Sequence, residues 1–309
     1  MTRAQLFVTA ALLLAPATEA AQQPPVVAFR SGIDLVQVNV VVRDRNGRFV
    51  RNLSARDFEV VDAGEARAIT DFRHDLPGVS VALLFDASGS MEAQLSPARE
   101  AGGHVLSWLD ATQDEAGVFL FDTELEEVTP FTSGLKRLPD RLDSVRPFGA
   151  TSLHDAIART AQQLAPRQGR RRAVVVFTDG NDTASRLTAP EVSGIASAID
   201  VPVYIFGIVP AIDNPSADGA TTTAERSALA GSLTNLAHWT GGRVLVASAP
   251  GERSAAAREI IDELRHQYLI AFESGGQPGW HPLEVRARGK NLIVSARSGY
   301  IAGQSRPIF

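Results

Sequence analysis

Residues 81–91 read VALLFDASGSM. Val81 to Phe85 form a short, solid apolar run with β character. The run stops at Asp86 and becomes a string of small polar residues: Ser88, Gly89 and Ser90. Strands that are apolar on both faces belong to parallel sheets covered by helices on each side. In such open sheets, ligands bind beyond the carboxyl ends of the strands. An acid followed by two hydroxyls at spacings of two is therefore placed where a site would be.

Working outward, the pattern repeats. Gly117–Phe121, Ala173–Phe177, Val201–Ile208 and Arg243–Val246 read as further strands, and Leu153–Leu164, Pro190–Ile199, Glu225–Trp239 and Arg253–Arg265 as amphipathic helices. Alternating strands and helices predict a doubly wound, mainly parallel α/β unit over residues 78–265. The flanks have a different period. Val36, Val38, Val40 and Val42 alternate ahead of an Asn46-Gly47 turn, and Leu283, Val285 and Ala287 alternate ahead of a turn at Gly289–Asn291. Segments 28–77 and 266–302 are thus predicted to be all-β. Each is too short for a core of its own. They are expected to pair into one small β-sandwich, with the α/β unit inserted between them.

The first twenty residues, MTRAQLFVTAALLLAPATEA, carry Arg3, an apolar run from Leu6 to Leu14, and small residues Thr18 and Ala20 before a cut at Ala21. That is the pattern of a secretory signal peptide. The run is short for a membrane span of ~20 residues, and no later segment is long and apolar enough for one. The expected protein is exported, periplasmic or secreted. Among its 309 residues there is no cysteine, which rules out disulfides, thiolate metal sites and cysteine nucleophiles, and suits an oxidising compartment. A hydrophobic fraction of 44%, a charged fraction of 21% and a net charge of −5 are those of a globular chain with no basic footprint for nucleic acid.

Two more oxygen-rich segments fall near strand ends. Gly149-Ala150-Thr151-Ser152-Leu153-His154-Asp155 precedes a helix, and Thr178-Asp179-Gly180 ends the run at Val174–Phe177. Carboxylates and hydroxyls without His or Cys are hard ligands, suited to Mg²⁺, Mn²⁺ or Ca²⁺. Asp and Ser also cap helices, the structural alternative for each of them.

Taken together, Asp-x-Ser-x-Ser, a Thr in Gly-x-Thr-x-Leu-x-Asp-Ala context, and Thr-Asp-Gly resemble the von Willebrand factor A family. The resemblance implies a metal-ion-dependent adhesion site. Ser88, Ser90 and Thr151 would offer hydroxyls to the cation, and Asp86 and Asp179 would bind it directly or through water. The cation would be Mg²⁺ or another divalent ion, and a partner protein's Asp or Glu would complete it. The β flanks, VQVNVVVRDRNGRFVRNLSARDFEVVDAG and YLIAF through HPLEVRARGKNLIVSARSGY, resemble exported von Willebrand A-related proteins of Acidobacteria.

Other motifs carry less. Ser133–Lys136 fits S-x-x-K, but its partner motifs are missing. The six histidines show no ligand spacing, although His154, three residues past Thr151, could line the metal rim. Asp155 is placed to favour a helix N-terminus, or to support the site from behind, and Asp182, three residues past Asp179, to stabilise its turn or to act as a ligand. Arg167 and Arg170–Arg172 read as a solvated loop, and 213–223 as a mobile polar loop. The expectation is a binding module. The alternatives are a structural assembly component of the cell envelope and a metal-dependent hydrolase, the latter lacking an evident base.

Overall fold

In a computed structural model the chain is described over residues 35–167, 169–208 and 233–302. The signal-peptide reading, the 213–223 loop and residues 225–232 lie outside these stretches. The chain enters through β1 (Leu35–Asp44), whose alternate valines Val36, Val38, Val40 and Val42 are all buried. The short strands β2 (Phe58–Asp62), β3 (Glu65–Arg67) and β4 (Ile69–Arg73) follow.

The α/β unit comes next. Its elements are β5 (Val79–Asp86), α1 (Leu95–Trp108), β6 (Glu115–Phe121), β7 (Leu125–Ser133), α2 (Leu153–Leu164), β8 (Arg171–Thr178), α3 (Ala189–Ile199) and β9 (Val203–Ile208). After them come α4 (helical over 233–240), β10 (Val244–Ala247) and α5 (Pro250–Arg265). The chain ends in β11 (Tyr268–Glu273), β12 (Gly279–Ala287), β13 (Leu292–Ala296) and β14 (Gly299–Ala302).

The central sheet has the order β10-β9-β8-β5-β6-β7. All its pairings are parallel except β6 with β7. Every residue of β5, β8 and β9 is buried, as the solid apolar runs predict, and β8 also takes in Arg171 and Arg172, which are buried rather than part of the solvated loop expected from sequence. One face packs against α1 and α5, the other against α2, α3 and α4. The crossover through α1 leads from β5 to β6 on one side, whereas α2 leads to β8 on the other. The strand order reverses at β5, which makes its carboxyl end the crevice of the sheet.

Two elements of the α/β unit escaped the sequence reading. Helix α1 carries Pro97, Gly102 and Gly103, which depress helix propensity. Pro97 lies in the first turn, where a missing N–H costs little. A Cβ on Gly102 would stand 2.4 Å from Phe85 Cζ, so a bare backbone lets the helix sit close on β5. Strand β7 is the antiparallel edge. It contains Glu126, Glu127 and Pro130, and its register against β6 shifts around Val118. Those residues suit an exposed edge and hide the strand's pattern.

The flanking strands form two four-stranded sheets, β13-β1-β11-β4 and β14-β12-β2-β3. They share one core, in which Val38, Val40, Phe58, Tyr268, Ile270 and Phe272 are packed. Burying such side chains contributes roughly 1.5–3 kcal/mol each, before the entropy of ordering them. The α/β unit is thus inserted between two β segments that fold together. Entry and exit are adjacent, because β4 and β11 pair antiparallel with Arg73 opposite Leu269. An ionic cluster joins the two parts. Arg43 of β1 bonds Glu259 at 3.2 Å and Glu263 at 2.7 Å on α5, and Arg243 reaches the same two acids at 2.7 and 3.1 Å. On the far side a Cβ on Gly194 of α3 would meet Ile301 of β14 at 2.7 Å, another close approach.

Candidate functional site

The site grows from the end of β5. The last residue, Asp86, is fully buried. Its Oδ1 accepts the Ser88 backbone N–H at 2.9 Å and its Oδ2 accepts the Thr178 hydroxyl at 2.7 Å. The second bond follows from register. Leu84 pairs with Val176 and Phe85 with Phe177, so the next residue of β8, Thr178, comes abreast of Asp86. The Thr178 hydroxyl also accepts the Gly180 N–H at 3.0 Å, which shapes the turn that presents Asp179. Beyond Ser88 the backbone turns into a short 3₁₀ segment, Gly89–Ala93. The Ser88 and Ser90 hydroxyls then stand 3.2 Å apart.

The loop of Thr151 is stitched to this turn. Phe148 N–H donates to Ala87 O at 3.0 Å, and Gly89 N–H donates to Gly149 O at 3.1 Å. Gly149 sits at φ +82°, a left-handed conformation that favours glycine at this bend. Thr151 itself is buried.

On its other side, the Thr151 loop is laced to the loop after β8. Thr151 N–H donates to the Thr183 hydroxyl at 2.9 Å, and Thr151 O accepts N–H groups from Thr183 and Ala184, both at 2.9 Å. Asp155 Oδ1 accepts the backbone N–H of Arg186 at 3.2 Å and of Leu187 at 2.9 Å. The N–H of Asp155 donates to the Ser185 hydroxyl at 3.1 Å. His154 Nδ1 lies 2.5 Å from Asp182 Oδ2 and 3.2 Å from Leu187 O. Both partners accept, so Nδ1 carries the hydrogen. Asp155 is therefore more than a favourable charge at a helix start: it clamps residues 186–187. Asp182 pairs with His154. Thr178, Thr183 and Ser185 had no role in the sequence reading. Only the β5–β8 register and the meeting of two distant loops assign them one.

The electrostatics are unbalanced. Burial pushes Asp86 up from the ordinary 3.8 to about 6, despite the donors from Ser88 and Thr178, and the nearby Asp179 charge pushes the same way. Among the described residues, no lysine, arginine or histidine forms an ion pair with Asp86 or Asp179. Nor do three or more His, Asp and Glu side chains gather anywhere into a metal-binding cluster. By residue type, Asp86 and Asp179 with the hydroxyls of Ser88, Ser90 and Thr151 are instead the hard, low-charge donor set that a small divalent cation accepts. A buried acid with dipolar partners but no counter-charge is costly. The residues fit such an ion.

Residues 81–181, from the third residue of β5 to the turn after β8, match the family model of the von Willebrand factor type A domain. Among solved structures, the chain is similar to the conserved hypothetical protein BatB from Bacteroides thetaiotaomicron, at 22% identity over 60% of this chain and 98% of that one, with a TM-score of 0.46. It is similar to an aerotolerance-related membrane protein from Bacteroides fragilis, at 22% identity over 60% and 98%, with a TM-score of 0.48. A von Willebrand factor type A protein from Catenulispora acidiphila aligns at 13% identity over 89% and 76%, with a TM-score of 0.45. No curated protein matches the chain.

Proposed function

We propose that the von Willebrand factor type A unit of this chain is an interaction module whose cup, formed by Asp86, Ser88, Ser90, Thr151 and Asp179, holds a divalent cation of the Mg²⁺ class. When bound, the ion supplies the positive charge that Asp86 and Asp179 lack and an electrophilic position for an anionic oxygen. A carboxylate from a partner protein is the ligand of that position. The observation that carries this reading is Asp86: fully buried, hydrogen-bonded among the described residues to neutral donors, and beside a second carboxylate.

The chain's own residues do the positioning. Thr178 and the Ser88 N–H fix the Asp86 carboxylate, while Thr183 and Asp155 hold the Thr151 loop against the loop of Asp179. A hydrolytic reading would need a base. His154 stands in the first turn of α2, and its Nδ1–H is engaged by Asp182 and Leu187 O. The N-terminal twenty residues support an exported site of action. No helix among the described residues is long and apolar enough to cross a membrane.

The test is thermal unfolding of the protein in EDTA and then with Mg²⁺, Mn²⁺ or Ca²⁺. An ion that binds only the folded state at 100 times its Kd stabilises it by about 2.7 kcal/mol. A rise that Thr151→Ala abolishes supports the cup. A rise that Thr151→Ala leaves intact places the ion elsewhere and overturns the assignment.

A further inference from the structure

Phe148 is the most exposed large apolar side chain among the described residues, at 81%. Yet its backbone is not loose. Its N–H is bonded to Ala87 O, and the next residue, Gly149, accepts from Gly89. Both contacts are to the turn that carries Ser88 and Ser90. The phenyl ring is therefore held outward on the lip of the cup by a stapled loop. A ring of that size left in water is a penalty to the free protein, and it gains from being covered.

The charges on the loops that meet here bear on what covers it. Arg146, two residues before Phe148, and Arg186, whose N–H is held by Asp155, are both exposed. Among the described residues neither forms an ion pair. The first turn also bears exposed Glu92, two residues past Ser90, which disfavours a long run of acids in the approaching chain. With the exposed ring, these charges favour a single carboxylate beside an apolar side chain.

We propose that Phe148 is the specificity-determining residue of this surface: it packs on an apolar side chain adjacent to the acidic residue of a partner protein that the cup engages. This rests on the metal reading above and deepens it. Aromatic anchors beside a desolvated polar contact are the usual centres of binding energy in such interfaces.

The experiment is selection of a random twelve-residue peptide library on the immobilised full chain, once with Mg²⁺ and once with EDTA. The expected Mg²⁺-dependent peptides carry one Asp or Glu with an aromatic or branched apolar residue within two positions. Against such a synthetic peptide, Phe148→Ala should lose about tenfold to a hundredfold in affinity. Phe148→Trp should keep most of it, and the Mg²⁺-dependent melting shift should stay unchanged in both variants. Mg²⁺-dependent peptides with an acid and no apolar preference, or full affinity in Phe148→Ala, overturn the role of Phe148 and leave the metal site standing. Absence of any Mg²⁺-dependent peptide also counts against the proposal. If the wild-type protein shows no metal-dependent shift as well, the metal reading falls with it.

Discussion

The Thr178 hydroxyl and the Asp86 carboxylate meet at 2.7 Å across neighbouring parallel strands, and neither is exposed to water. Removing the donor leaves a buried acceptor half satisfied, at a cost of about 1–3 kcal/mol. Thr178→Val should therefore lower stability in EDTA by that amount and weaken Mg²⁺ binding. Thr178→Ser should retain both. Urea unfolding with and without Mg²⁺ measures the difference.

Asp86→Asn should separate stability from metal binding. A carboxyl raised from 3.8 to about 6 by burial is at its most favourable below the unfolded value and becomes a liability as pH rises through 6. At pH 7 in EDTA, removing that charge should stabilise the protein by up to about 3 kcal/mol, at ~1.4 kcal/mol per pK unit. The same variant should show no Mg²⁺ shift. Melting in EDTA from pH 4 to 8 checks the sign: the advantage of the variant over the wild type should grow between pH 4 and 6 and level off above it.

A second pH effect belongs to the sandwich. His281 Nδ1 lies 2.8 Å from Asp62 Oδ1, and Asp62 is fully buried. Burial opposes the charged imidazole, but the Gln277 carbonyl and Asp62 outweigh it and raise the pKa above 6.5. A raised histidine adds stability that is complete below about 6.5 and is lost as pH climbs through the folded value. The urea midpoint should fall on the alkaline side of 6.5, and His281→Gln should flatten that fall.

Gly102→Ala offers a packing test. The new methyl would stand 2.4 Å from the Phe85 ring, which is itself stacked on Phe177 at 4.6 Å and cannot easily give way. Alanine gains about 1 kcal/mol of helix propensity over glycine, while overpacking costs typically 1–3 kcal/mol. The net effect should be destabilising, with weaker Mg²⁺ binding because Phe85 precedes Asp86. Thermal melts and Mg²⁺ titration read both.

Much of the fold was legible because burial on both faces writes itself as solid apolar runs. β5, β8 and β9 are fully buried, and α2 spans Leu153–Leu164 as its periodicity predicts. α1 was not legible, because Gly102 serves a neighbour rather than its own helix. β7 was hidden because an edge strand needs no apolar alternation and tolerates Pro130. At the site, the spacing of Asp86, Ser88 and Ser90 is local and visible in sequence. Thr178, Thr183 and the clamp of Asp155 are not. Their partners lie 92, 32 and 32 residues away, and only strand register and loop lacing bring them together.

The adjacency of β4 and β11 has one more consequence. With Arg73 facing Leu269 across an antiparallel pair, everything between them leaves and returns through a gap one strand spacing wide. Such a gap can be closed by a hairpin turn of a few residues. The sandwich is in effect a socket and the α/β unit a cartridge. The socket's strand ladder is made within the β segments, so exchanging the inserted unit would disturb the frame at contacts such as Arg43 with α5 and Ile301 with α3 rather than in the ladder itself.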